Sequence, residues 1–178
     1  MNYIISQLPD RTEKPRTAGL TMVMDKGLST REAADFLSMG GPYADIIKLG
    51  WATSYVSPNL NEKLALYREA GVPCYFGGTL FEVFIARGAF DDYRRVLDQF
   101  QMEYVEVSDG SLELPHDEKC RYIEQLSKDF KVLSEVGSKD AEKIIAPYKW
   151  IAMMKSELEA GSQMVIAEAR EAGNVGIF

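Results

Sequence analysis

The chain is poor in the residues that most often announce a chemistry. It has one histidine, His116, in 178 residues. A Ser–His–Asp triad or a histidine-rich metal centre needs more around it than that, and His116, after Pro115, reads as an exposed loop residue. It has two cysteines, Cys74 and Cys120, far apart in sequence. That is neither a disulfide framework nor a zinc site, so both read as idle thiols. There is no long run of one charge: 20 Lys and Arg face 27 Asp and Glu, for a formal net charge of −7. A nucleic-acid binder needs clustered cations, so nucleic acid is not an expected partner. No apolar run reaches the ~18 residues of a membrane span. The first fifteen residues lack a basic segment followed by an apolar one. No membrane contact and a cytoplasmic location are therefore expected.

What is present is a rhythm. Short apolar runs alternate with longer amphipathic ones. Strands are expected at Leu20–Met24, Asp45–Leu49, Pro73–Phe76, Glu103–Val107, Val132–Glu135 and Met164–Glu168. Helices are expected at Thr30–Met39 with Ser29 or Thr30 as cap, Asn59–Ala70 closed by Gly71, Phe81–Phe100 with a break near Gly88, Asp117–Lys128 and Tyr148–Ala160. Six strand-then-helix repeats imply an α/β fold with a parallel sheet covered by helices. An open doubly wound sheet and a closed barrel both satisfy that rhythm. Polar residues and glycines at the end of every strand favour the barrel, which gathers all those ends at one rim. The expectation is a single TIM-type (β/α)8 barrel domain over residues 1–178. About six βα units are present, and strands seven and eight are expected to be missing.

Each strand end supplies something reactive. Asp25 and Lys26 follow the first strand, Lys48 and Trp51 the second, and Gly77, Gly78 and Thr79 the third. Glu106, Ser108 and Asp109 follow at the fourth, Glu135 and Lys139 at the fifth, Glu168 and Arg170 at the sixth. Side chains alternate between the faces of a strand. Glu106 and Ser108 therefore share a face with Tyr104, and Lys48 shares one with Ile46. If Val105 and Val107 face the helices, Glu106 points inward. An inward charge is costly unless paired or metal-bound, so Lys48 and Glu106 read either as a site or as an ion pair plugging the barrel. Gly77-Gly78-Thr79 before a helix is a candidate anion cradle and equally an ordinary strand-to-helix turn. The aromatic rings of Tyr43, Trp51 and Tyr75 read as packing.

The strand ends also resemble, in order and spacing, the phosphosulfolactate synthase family. The segments are Lys14-Pro15-Arg16, Asp25-Lys26-Gly27, Lys48 to Ser54, Gly77 to Glu82, Val105 to Gly110, Ser134 to Lys139 and Glu168 to Gly173. The resemblance implies a magnesium-dependent lyase. It would add sulfite to phosphoenolpyruvate and give (2R)-3-phosphosulfolactate, which some organisms carry toward coenzyme M. On that reading Lys139 is the first candidate for the acid that protonates C2, and Lys48 the next; a lysine of depressed pKa suits the step. Lys26, Gly77, Gly78, Thr79, Ser108 and Arg170 would bind the anionic substrates. Asp25, Glu106, Glu135 and Glu168 are the candidate Mg2+ ligands, since magnesium takes carboxylate and water oxygens. The family pattern carries glycine where Ala52 stands. Two other readings are a non-catalytic, stress-related relative and a barrel enzyme for another small phosphorylated carboxylate. Six strands would leave edges and an apolar interior exposed, so a homo-oligomer is expected.

Overall fold

The structure is a computed structural model, and it describes residues 5–10, 12–137 and 145–168. The elements follow the expected rhythm. They run β1 (Met22–Asp25), α1 (Thr30–Gly40), β2 (Ile46–Leu49), α2 (Thr53–Val56), α3 (Leu60–Glu69), β3 (Cys74–Phe76), α4 (Gly78–Ile85), α5 (Phe90–Gln99), β4 (Tyr104–Val107), α6 (His116–Leu126), β5 (Lys131–Val136), α7 (Pro147–Glu159) and β6 (Met164–Ala167).

Local chemistry explains most boundaries. Ser29 caps α1 in a reciprocal box with Glu32, so two otherwise unsatisfied N–H groups are bonded. Gly71, with φ 65°, closes α3 in a left-handed conformation that costs glycine little. Gly88, with φ 64°, divides the long helix expected at Phe81–Phe100 into α4 and α5. α4 also begins three residues earlier than expected, at Gly78. The short α2 has no amphipathic period and was not legible.

Every strand pair is parallel and sequential. The ladder is not continuous: β1-β2-β3 and β4-β5-β6 form two three-stranded sheets, and β3 and β4 touch without a ladder between them. The expected single run of six strands is thus two runs of three. The array is nevertheless strongly curved. In a flat sheet β2 and β5 would lie three spacings, about 14 Å, apart. Instead Lys48 Nζ of β2 lies 3.2 Å from Glu135 Oε2 of β5. The inner face carries a small apolar cluster of Ile46, Tyr75 and Leu133, with Tyr104, Met164 and Ile166 against it.

The main core lies on the other face, between strands and helices. Ile47, Leu49, Phe76, Val105, Val107 and Val132 pack there against Leu64, Tyr67, Phe81, Tyr93, Leu97 and Ile123. Each such side chain contributes roughly 1.5–3 kcal/mol by leaving water. Cys74 sits in this layer, where burial pushes its thiol up to about 11. That fits the expectation of an idle thiol. Among the described residues, no helix is long and apolar enough to cross a membrane.

β1 is anchored by charge. The buried Asp25 carboxylate accepts from Tyr67 Oη at 2.8 Å and from the N–H groups of Gly27 and Leu28, and it lies 2.9 Å from the buried Lys63 ammonium. Burial opposes the Asp25 charge, but Lys63 and these donors outweigh it and lower its pKa. Such a group contributes stability above the ordinary aspartate pKa, and that contribution is lost as pH falls through the lower folded value. We expect Asp25→Ala to destabilise the fold by about 3–5 kcal/mol near neutral pH, because it strands Lys63. Urea unfolding of the two proteins at neutral pH and under acid conditions checks this: the gap should shrink in acid.

Candidate functional site

The inward residues of the strand ends meet at one place. Lys48 Nζ lies 2.7 Å from Glu106 Oε1 and 3.2 Å from Glu135 Oε2. The Lys48 side chain is 11 % exposed and that of Glu106 only 1 %. Strand parity therefore predicted the facing of Lys48 and Glu106, and curvature added Glu135 from three strands away.

Gly77 and Gly78 make room for this contact. A Cβ on Gly77 would stand 3.1 Å from Lys48 Cε, so the lysine stem lies over the bare glycine. A Cβ on Gly78 would stand 2.7 Å from Ser108 Cβ and 2.8 Å from Glu106 Oε1. The Gly78 N–H, at the start of α4, donates to Glu106 Oε1 at 2.7 Å. The suspected anion cradle thus has an occupant already: it holds the protein's own Glu106 carboxylate at a helix N-terminus, where negative charge is favoured.

Two carboxylates share one ammonium, which leaves surplus negative charge in a nearly dry place. Burial, with Glu135 alongside, raises the Glu106 pKa despite Lys48 and the Gly78 N–H. Burial disfavours the Lys48 ammonium, but Glu106 and Glu135 outweigh it and raise its pKa. Lys48 is therefore a fixed cation, the opposite of a lysine tuned to release its proton. Among the described residues the buried Glu106 Oε2 makes no well-formed hydrogen bond, and the buried Tyr75 hydroxyl interacts with the Glu106 carboxylate.

The other expected residues are arranged around this centre. Ser108 donates to Glu82 of α4, and Glu82 also accepts from the Ser111 N–H at 2.8 Å. Glu82 thereby ties down the loop after β4. Thr79 is the second residue of α4 and half-buried. Glu168 follows β6 and is half-buried beside Gly137, whose Cβ, if present, would lie 2.7 Å from Glu168 Cβ. Lys26 is exposed in the turn after β1. Asp25 is turned toward α3 and the helix layer, so its carboxylate meets Lys63 and Tyr67 rather than Lys48. Lys139 and Arg170 lie outside the described residues. Among the described residues, no three His, Cys, Asp or Glu side chains converge to hold a metal ion.

Several readings need correction. His116 is the first residue of α6 rather than a loop residue, and its Nδ1 lies 3.8 Å from the buried Glu157. Trp51 and Tyr43, expected to pack, are exposed, Trp51 by 65 %. Trp51 lies in the turn just beyond β2. Tyr75 is buried in the inner cluster as expected. Ala52 has φ 56°, in the left-handed region where a glycine would be unstrained. Sequence reasoning placed Glu82 just beyond the third strand end without giving it a role, and it missed Lys63 and Lys119; all three are buried charges on helices. In sequence, each is indistinguishable from its solvated neighbours.

The geometry makes Gly78 the tightest position of the site. We expect Gly78→Ala to cost about 1–3 kcal/mol by overpacking against Ser108 and Glu106. A urea melt with unchanged slope and lowered midpoint checks this.

Comparison with known proteins places these residues in a wider setting. The family model described as (2R)-phospho-3-sulfolactate synthase (ComA) matches residues 9–178. A phosphosulfolactate synthase of Bacillus subtilis is 38 % identical over 179 residues, covering 99 % of this chain and 71 % of that protein. One from Methanothermobacter thermautotrophicus is 39 % identical, covering 100 % of this chain and 71 % of that protein. Among solved structures, phosphonopyruvate hydrolase in complex with oxalate and Mg2+ superposes with a TM-score of 0.53 at 13 % identity. That alignment covers 85 % of this chain and 59 % of the hydrolase, and at that identity it speaks for the fold alone.

Proposed function

We propose that this chain, which belongs to the phosphosulfolactate synthase family of enzymes, adds sulfite to phosphoenolpyruvate in a magnesium-dependent reaction that gives (2R)-3-phosphosulfolactate. The observation that carries the reading is the Lys48–Glu106–Glu135 cluster at the strand ends of an α/β barrel fold. Active sites of such barrels lie at that rim.

The residues fit a magnesium ion held in its usual way, by one or two carboxylates with water and substrate oxygens completing the shell. Surplus negative charge and the buried Glu106 Oε2, which makes no well-formed hydrogen bond among the described residues, support this. Glu106 and Glu135 would hold it, with Glu168 flanking. When bound, the ion supplies charge stabilisation for the enolate form of the substrate carboxylate. In the reaction the sulfite sulfur bonds to C3, and the C2–C3 π electrons move onto the carboxylate. A proton then arrives at C2, and the phosphate ester stays intact. Lys48, fixed as a cation, contributes an electrostatic partner for the developing charge. It is badly matched to proton donation, which leaves Lys139 as the acid in this reading. Lys26, Thr79 and Arg170 remain the substrate-binding candidates, whereas the buried Ser108 hydroxyl is given to Glu82, and the enzyme would work in the cytoplasm.

We expect Lys139→Ala to reduce turnover at least ~100-fold while weakening phosphoenolpyruvate binding far less, because its proton is needed only in the transition state. The assay is sulfite-dependent consumption of phosphoenolpyruvate with Mg2+, beside calorimetric binding of phosphoenolpyruvate. Lys139→Ala turning over like the wild type removes it as the acid. A wild type that binds but never turns over favours the non-catalytic relative; turnover only of another small phosphorylated carboxylate favours the third reading.

The reading includes a homo-oligomer. Met22 and Met24 of β1 are 38 % and 41 % exposed, which leaves apolar surface at one edge of the described array. Static light scattering of the 178-residue chain should give a mass of at least twice 20.0 kDa; a stable monomer contradicts it.

A further inference from the structure

The buried cation of α6 has no part in the chemistry above, yet it touches the site's frame. Lys119 is 1 % exposed. Its Nζ lies 2.8 Å from Asp109 Oδ1, in the loop after β4, and 2.8 Å from Glu157 Oε1 of α7. It donates to the backbone carbonyl of Glu135 at 2.6 Å. An ammonium has three protons, and here three oxygens from three segments surround it.

The carbonyl it bonds is a particular one. The Val132 and Val136 carbonyls accept from Gln163 and Glu168 on the β6 side. Alternation along a strand turns the Glu135 carbonyl toward β4. The β4–β5 ladder ends at Val107 and Ser134, so β4 offers this carbonyl no ladder partner. Lys119 stands where the next ladder donor would be. Glu135 is then held twice: its carboxylate by Lys48 inside the barrel, its backbone by Lys119 from the helix layer.

We infer that Lys119 is a positioning residue, which caps the open end of the β4–β5 ladder and so fixes where the Glu135 carboxylate meets Lys48. Its consequence for turnover rests on the function proposed above; its consequence for geometry does not. Burial opposes the Lys119 charge, but Glu157 and Asp109 outweigh it and raise its pKa, so the ammonium persists.

Removing Lys119 alone strands Glu157, so the test uses Lys119→Met/Glu157→Gln, with Glu157→Gln as control. Circular dichroism establishes folding, a crystal structure reads the Lys48–Glu135 contact, and kinetics with phosphoenolpyruvate binding separate turnover from affinity. The expected double variant is folded, has lost the 3.2 Å contact, and turns over at least ~10-fold slower with binding changed less than ~3-fold. Glu157→Gln alone should stay within ~3-fold of wild type, because the Lys119–Glu135 bond survives. A folded double variant that keeps the contact and the turnover overturns the inference, and so does one that fails to fold, since Lys119 is then merely structural. A wild type that lacks turnover removes the proposed reaction, and the contact in the variant's crystal structure still decides the role of Lys119.

Discussion

The interaction on which the rest depends is the Lys48 ammonium between Glu106 and Glu135. It joins β2, β4 and β5 across the inner face, at distances that a flat sheet forbids. Desolvating three charges is expensive, and an ion cluster of this kind is weak evidence for stability. It survives because the surroundings leave it few alternatives. Gly77 admits the lysine stem, and Gly78 admits the Glu106 carboxylate and donates its N–H to it. A charge imbalance remains, and Glu106 Oε2 has no well-formed hydrogen bond among the described residues.

Around that centre stands a ring of buried charges on helices. Glu82 of α4 fixes Ser108 and Ser111, Lys119 of α6 fixes Asp109 and Glu135, and Lys63 of α3 fixes Asp25. Each ties a strand end or its following loop to the helix layer. The apolar core between sheet and helices supplies the cohesion, and these contacts decide where the loops sit. That division suits a barrel, whose body is packed for stability while its rim carries the function.

Membership of an enzyme family narrows the chemistry without choosing every residue. The fold is shared with proteins of 13 % identity, and shared fold alone does not assign a reaction. The site argues more specifically. Lys48 is held charged between two carboxylates, which suits an electrostatic role better than proton donation. Ala52 is a local exception of another kind: an alanine held at φ 56° at the start of α2, beside exposed Trp51.

The sequence by itself determined the alternation of strands and helices, because burial periods and glycine breaks act over a few residues. Ser29 as a cap, Gly71 and Gly88 could be read for that reason. It also determined that Lys48 and Glu106 face inward, since parity along a strand is local. Tertiary structure alone decided their partners. Glu135 meets Lys48 across 87 positions because the sheet curves, and no spacing in the chain encodes that curvature. Asp25 left the expected carboxylate group because Lys63 and Tyr67, on α3, compete for it. Lys119 and Glu157 look like solvated helix charges until α6 and α7 pack together and exclude water from both. Pairing of buried charge is a property of the packed layers, and it becomes visible only when they are assembled.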